Sequence, residues 1–97
     1  MYEIENAIST GSYNGLTVEK LTSDDNCEVL LITLEKASHF PEHTSPRNVL
    51  LVMLEGVILF TISNKNYTLQ KHQTFKFPAG EKHKVVAMKN AKFLIIR

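Results

Sequence analysis

Cysteine is almost missing from this 97-residue chain: Cys27 stands alone, so no disulfide can form within it. Nothing near Cys27 in sequence would activate its thiol, which points to a small half-buried residue in a strand rather than a nucleophile or a ligand. A reducing, cytoplasmic setting is the expectation, and the sequon "NYT" at Asn66 then carries no meaning, because glycosylation needs a secretory route. The N-terminus "MYEIENAIST" has two glutamates and lacks the apolar stretch of a signal peptide. No apolar run approaches the roughly 18 to 20 residues that a membrane helix needs. Surplus charge is absent as well: eleven Lys plus Arg face ten Asp plus Glu, a formal net charge of +1. Such a chain has no field to gather phosphates, so neither nucleic acid nor a membrane is an expected partner.

The chain also lacks any dozen-residue window with an apolar stripe at helical spacing, any repeat at a fixed period, and any low-complexity segment. No phosphate-binding loop, activated nucleophile or paired-carboxylate arrangement can be read from it. What it has is an ordinary globular composition, 43% hydrophobic and 22% charged, in a length that suits one domain. Short runs rich in Val, Ile, Leu, Phe, Tyr and Thr recur between Gly, Asn, Pro and Lys-Asn clusters. They predict strands at 16–21, 28–36, around His43, and at 49–55, 57–63, 66–70, 74–78, 83–88 and 92–97. "SNKN" at 63–66, "EG" at 55–56 and "MKNAK" at 88–92 supply residues that tolerate left-handed turns. Connections this short join antiparallel neighbours, because a parallel crossover takes a dozen residues or more. An all-β sandwich or barrel follows, in a single domain over 1–97.

Two strands, "VLLVML" at 49–54 and "FLII" at 93–96, are apolar on both faces. A second cover is therefore expected over one face, either a homodimer partner or the N-terminal segment.

The four histidines, His39, His43, His72 and His83, carry most of the available chemistry. Along a strand, residues two apart share a face, so 43, 45, 47 and 49 project together, joined by 39 if the chain stays extended through Pro41. His43 and His83 can then face one another. His39 is a doubtful third ligand, since four strand residues span about 13 Å; it is expected in an exposed loop. His72 is expected at an exposed hairpin turn, and Arg47 at an exposed loop end.

The order "HTSP", "VMLEG", "QTFKFPAGEKH" resembles the small single-domain cupins. The resemblance, over roughly residues 28–97, implies a double-stranded β-helix, or jelly-roll barrel, of antiparallel strands, with its core barrel at about 28–97 and a strand segment at 1–27. It also implies a metal-binding pair of motifs: H-x-H, then Glu, ending at Gly56; and a turn Gly, then P-x-G at 78–80, a His at 83, and a closing Asn. In this chain the second histidine falls on Ser45, the glutamate on Val49, the turn glycine on His72 and the asparagine on Ala87. Only His43 and His83 remain of the four usual ligands. A divalent transition metal such as Zn, Ni, Fe or Mn would have two imidazoles, where catalytic zinc takes three protein ligands and oxygen-activating iron two histidines and a carboxylate.

If 43, 45, 49, 51 and 53 share the inward face, a pocket has Val49, Leu51 and Met53 as its floor, His43, Ser45 and His83 as its rim, and Phe75 and Phe77 as an aromatic wall. Three functions stay open: a non-catalytic module that binds or senses a small molecule, a metal-dependent isomerase or dioxygenase with a reduced ligand set, and a filled barrel that serves as an interaction protein.

Overall fold

The computed structural model describes residues 1–97. Nine strands form, β1 (Leu16–Ser23), β2 (Glu28–Leu34), β3 (His39–His43), β4 (Val49–Glu55), β5 (Val57–Ile62), β6 (Lys65–Gln70), β7 (Thr74–Phe77), β8 (His83–Ala87) and β9 (Ala91–Ile96), and all but β3, expected only around His43, fall within two residues of the predicted bounds. They build a five-stranded sheet, β1-β2-β9-β4-β7, and a four-stranded sheet, β3-β8-β5-β6, with every pairing antiparallel.

Alternation along the strands sets what lies between the sheets. β4 buries Val49, Leu51 and Met53 and leaves Leu50, Val52 and Leu54 half-buried on the other side. Register carries the same face across the sheet, pairing Ile32 with Phe93 and Phe93 with Met53. The opposing sheet contributes Ile58, Phe60 and Ile62 from β5, with His83, Val85 and Ala87 from β8. Phe60 and Phe93, each 1% exposed, are the largest side chains fully enclosed between the sheets. Burying each contributes on the order of 1.5–3 kcal/mol.

Two expectations for the N-terminal third need correction. Residues Ala7–Thr10 form a single helical turn, α1, although no helical stripe is present. Local and tertiary contacts hold it: Thr10 N–H donates to Asn6 O at 3.0 Å, and the Lys92 ammonium donates to Ile8 O at 2.6 Å. One turn is too short to persist on propensity alone, so its docking on β9 matters more. Cys27, expected within a strand, instead closes the β1–β2 turn, where its N–H donates to Asp24 Oδ1 at 2.9 Å.

Two of the three turns use the predicted left-handed residues, whereas the 88–92 turn closes without any positive φ. Ser63 and Asn64, with φ of 52° and 60°, close the β5–β6 hairpin. Gly56 turns β4 into β5 at φ 82°, and a Cβ there would lie 2.1 Å from Asn90 O. His72 sits at φ 72°, so the position that resembles the family's turn glycine keeps a glycine-like backbone under an imidazole.

Gly56→Ala is expected to destabilise the fold by roughly 3 kcal/mol or more, since left-handed strain adds to a backbone clash. Gly80→Ala, at φ 83° with open space around it, should cost only the strain of about 1–2 kcal/mol. His72→Gly should be neutral or stabilising by up to about 1 kcal/mol. Urea unfolding midpoints check all three; equal losses at positions 56 and 80 would contradict the packing account.

Candidate functional site

One end of the inter-sheet space is left open as a cavity of about 40 Å³. From the five-stranded sheet it is lined by Leu30, Ile32, Val49, Phe77, Phe93 and Ile95, and from the four-stranded sheet by Phe40, Phe60 and Val85. Four polar side chains enter this apolar lining: His43, Ser45, His83 and Arg97. Small and mostly apolar, it suits a compact ligand and not an extended one.

The local folding of two loops brings the polar groups together. Pro41 and the following residues carry an irregular register: Phe40 pairs with Val85 and His43 with His83, three steps along β3 against two along β8. The extra residue reverses the parity of the strand. Phe40, rather than His39, therefore shares the inward face with His43, and the two rings stack at 4.2 Å. His39 is exposed on the outer surface of the same strand beside Leu59 and Lys84, which corrects both its expected loop position and its expected parity with His43. The β3–β4 loop is tied to the Pro78–Gly80 turn, where Gly80 N–H donates to Ser45 O at 3.0 Å and Ala79 N–H donates to Asn48 Oδ1 at 2.9 Å. The two motif segments thus form one clamped rim.

His43 and His83 meet at this rim with Nε2 to Nε2 at 3.1 Å. Each Nδ1 faces a carbonyl that can only accept: Pro41 O at 2.6 Å from His43 and Glu81 O at 2.9 Å from His83. Both Nδ1 atoms must therefore carry the proton, leaving a lone pair on each Nε2. Three contacts need three N–H groups, whereas two neutral imidazoles bring two. The set is satisfied in full when the pair shares one additional proton, or when a donor group of a ligand enters between the Nε2 atoms. Burial works against that proton at His83. His83 is 4% exposed, and Phe60 stacks on it at 5.5 Å and Phe77 tilts against it at 4.5 Å. Desolvation, reinforced by the neighbouring His43, holds the His83 imidazole below its usual range against the opposing bond to Glu81 O.

The expected pocket residues separate into two groups. His43, Ser45, Val49, Phe77 and His83 line the cavity. Leu51 and Met53 lie outside it, fully buried in the packed core, because the inter-sheet space is already filled at their level. Phe75 packs at 5.1 Å against Phe60 and at 5.0 Å against Tyr67, off the cavity wall. Arg97 lines the cavity too, and the histidine-centred reading misses it. Period-two alternation from Phe93 and Ile95 to Arg97 would have found it. Arg47 is exposed as expected, its Nη2 3.4 Å from Asp25 O.

As a metal centre the donor set falls short. No third His, Cys, Asp or Glu joins the pair into a ligand cluster. The remaining polar lining is a hydroxyl and a guanidinium, and Ser45 Oγ already donates to Arg47 O at 2.8 Å. Two imidazoles beside a fixed cation do not fit a three-ligand zinc or iron site.

Two antiparallel sheets closed around a small, mainly apolar cavity define a jelly-roll barrel of the double-stranded β-helix class. The chain belongs to the cupin family: the family model described as a Cupin domain matches residues 30–97. Solved structures agree on the fold. A cupin of the RmlC-like type from Desulfovibrio desulfuricans is 17% identical, with a TM-score of 0.86 over 99% of this chain and 95% of its own. A second RmlC-like cupin, from Methanocaldococcus jannaschii, is 18% identical, with a TM-score of 0.85 over 100% of this chain and 91% of its own. A cupin superfamily protein from Desulfitobacterium hafniense is 19% identical, with a TM-score of 0.81 over 89% and 79%. No curated protein matches the sequence. No helix is long and apolar enough to cross a membrane.

A lowered His83 pKa means that the unfolded chain takes up a proton before the folded one does. Its destabilising effect is therefore absent at high pH and grows as pH falls below the unfolded value of about 6.5. Asp24 and Glu28, whose carboxyls are held below their usual range by hydrogen bonds, lose their contribution only near and below about pH 4. Urea unfolding between about pH 6.5 and 5 should thus show stability falling by up to about 1.4 kcal/mol per pH unit, and His83→Gln should flatten that slope. A slope unchanged in the variant would refute the assignment.

Proposed function

We propose that this cupin barrel holds a small organic molecule between its sheets and serves as a non-catalytic binding or sensing module. The observation that carries this reading is the cavity itself: an aromatic and aliphatic lining from both sheets, with four polar groups converging at one end. Nothing at the rim forms a nucleophile–base pair, and the two-imidazole donor set does not complete a metal centre. A competing reading, a metal-dependent isomerase or dioxygenase type built on His43 and His83, draws on one feature. Both rings are anchored through Nδ1 to carbonyls and present Nε2 to the same point, as metal-bound histidines do. It lacks a third ligand from this chain.

Elemental analysis of the purified protein separates the two. Metal well below one equivalent is expected, with no rise in melting temperature on adding Zn, Ni, Fe or Mn. Near-stoichiometric metal that disappears in the His43→Ala, His83→Ala double variant would replace the binding-module reading with the metalloenzyme.

The barrel further acts as a homodimer in this reading. On the outer face of the five-stranded sheet, Leu50 pairs with Ile96 and Val52 with Leu94, forming a half-exposed apolar belt across β4 and β9. The N-terminal strap covers only one end of that face, where Lys92 meets Ile8 O and lies 5.3 Å from the Tyr13 ring. A second copy offers the same belt, as a two-fold interface requires. Sedimentation equilibrium should give twice the 11.0 kDa chain mass, and Leu94→Lys should give a folded monomer; a monomeric parent protein would rule the dimer out. Cys27 has no disulfide partner in the chain, in keeping with a reducing cytoplasm.

A further inference from the structure

We infer that the cavity's ligand is a small monocarboxylate with an apolar body, and that Arg97 takes its carboxylate. The inference rests on the binding-module reading and sharpens it to a chemical class. Arg97 is the last inward-facing position after β9, and its guanidinium enters a lining that contains no acidic side chain. Its engagements within the protein are limited. Nε donates to Glu28 Oε2 at 2.8 Å, and Nη1 reaches Ser45 Oγ at a long 3.4 Å. No other protein group accepts from the remaining guanidinium N–H donors.

Glu28 does not cancel the charge. Its carboxylate is shared between Arg97 and Lys20, whose ammonium lies 3.2 Å from the other oxygen. A carboxylate divided between two cations does not fully neutralise Arg97. A cation with free donors in an apolar lining is a poor arrangement for a filled core and a good one for an anion.

The shape of the space narrows the anion further. A guanidinium offers parallel N–H groups that match the two oxygens of a planar carboxylate. A phosphate dianion would ask for several more donors, and the remaining wall gives Phe40, Phe60, Phe77 and Val49 instead. The small reachable volume, about 40 Å³, limits the body to a short branched chain unless the aromatic rings turn.

The test uses isobutyrate and isovalerate against isobutyramide and isovaleramide, pairs of nearly equal shape that differ in charge. Titrations are followed by NMR on the signals of Val49, Val85 and Ile95. The acids should bind at least tenfold more tightly than their amides in the parent protein. Arg97→Gln should erase that preference while amide binding persists, and Arg97→Lys should restore only part of it. Glu28→Gln, which frees the guanidinium without touching the cavity wall, should tighten acid binding and gives a second readout if Arg97→Gln fails to fold. Equal binding of acid and amide in the parent would overturn the carboxylate inference and leave the binding module standing, as would an acid preference that survives Arg97→Gln. Absence of any shift at the three cavity residues with every probe would sink both.

Discussion

The approach of His43 to His83 depends on one extra residue in β3. Antiparallel pairing of β3 with β8 would, in regular register, send alternate residues of "HFPEH" to opposite faces. The irregularity between Phe40 and His43 lets both turn inward, with a ring stack between them. Everything polar in the cavity is then arranged around that rim. The Ser45–Gly80 bond fixes the height of the loop, the carbonyls of Pro41 and Glu81 fix the orientation of both imidazoles, and the two Nε2 atoms have nowhere to point but at one another.

The electrostatics follow from the same geometry. An imidazole pair that needs three protons to satisfy three contacts is poised to hold a positive charge, yet Phe60 and Phe77 deny His83 the solvation that a charge needs. The two tendencies are opposed at His83, the more buried of the two rings. Arg97 places a fixed cation in the lining. A lining whose one fixed charge is positive and whose remainder is mainly hydrocarbon favours an amphiphilic anion over a metal cation.

The fold was largely legible in the chain, and the site only in part. Strand positions followed from β-branched and aromatic runs between turn residues, and Asn64 and Gly56 adopt the left-handed conformations their residue types suggest. The resemblance of "PAGEKH" and "LEG" to cupin motifs agrees with the family match over residues 30–97. In the pocket, parity alone predicted Leu51 and Met53 as lining, but sharing a face does not fix depth, and these two lie where the sheets have already closed together. Phe40 was hidden by the bulge. Phe60 sits in a strand apolar at most positions, where a period of two cannot tell inside from outside. Helix α1 escaped because contacts to β9, not its own residues, make it.

The sequence by itself determined the alternation of the strands, the turn positions and the loss of two metal-ligand positions at Ser45 and Val49, because each depends on residue types a few places apart. Only the tertiary structure decided which histidine faces which, that Arg97 and not Arg47 enters the cavity, and how much of the barrel remains open. Those outcomes depend on register between strands distant in sequence, and a single inserted residue at the bulge changes the face on which a side chain arrives.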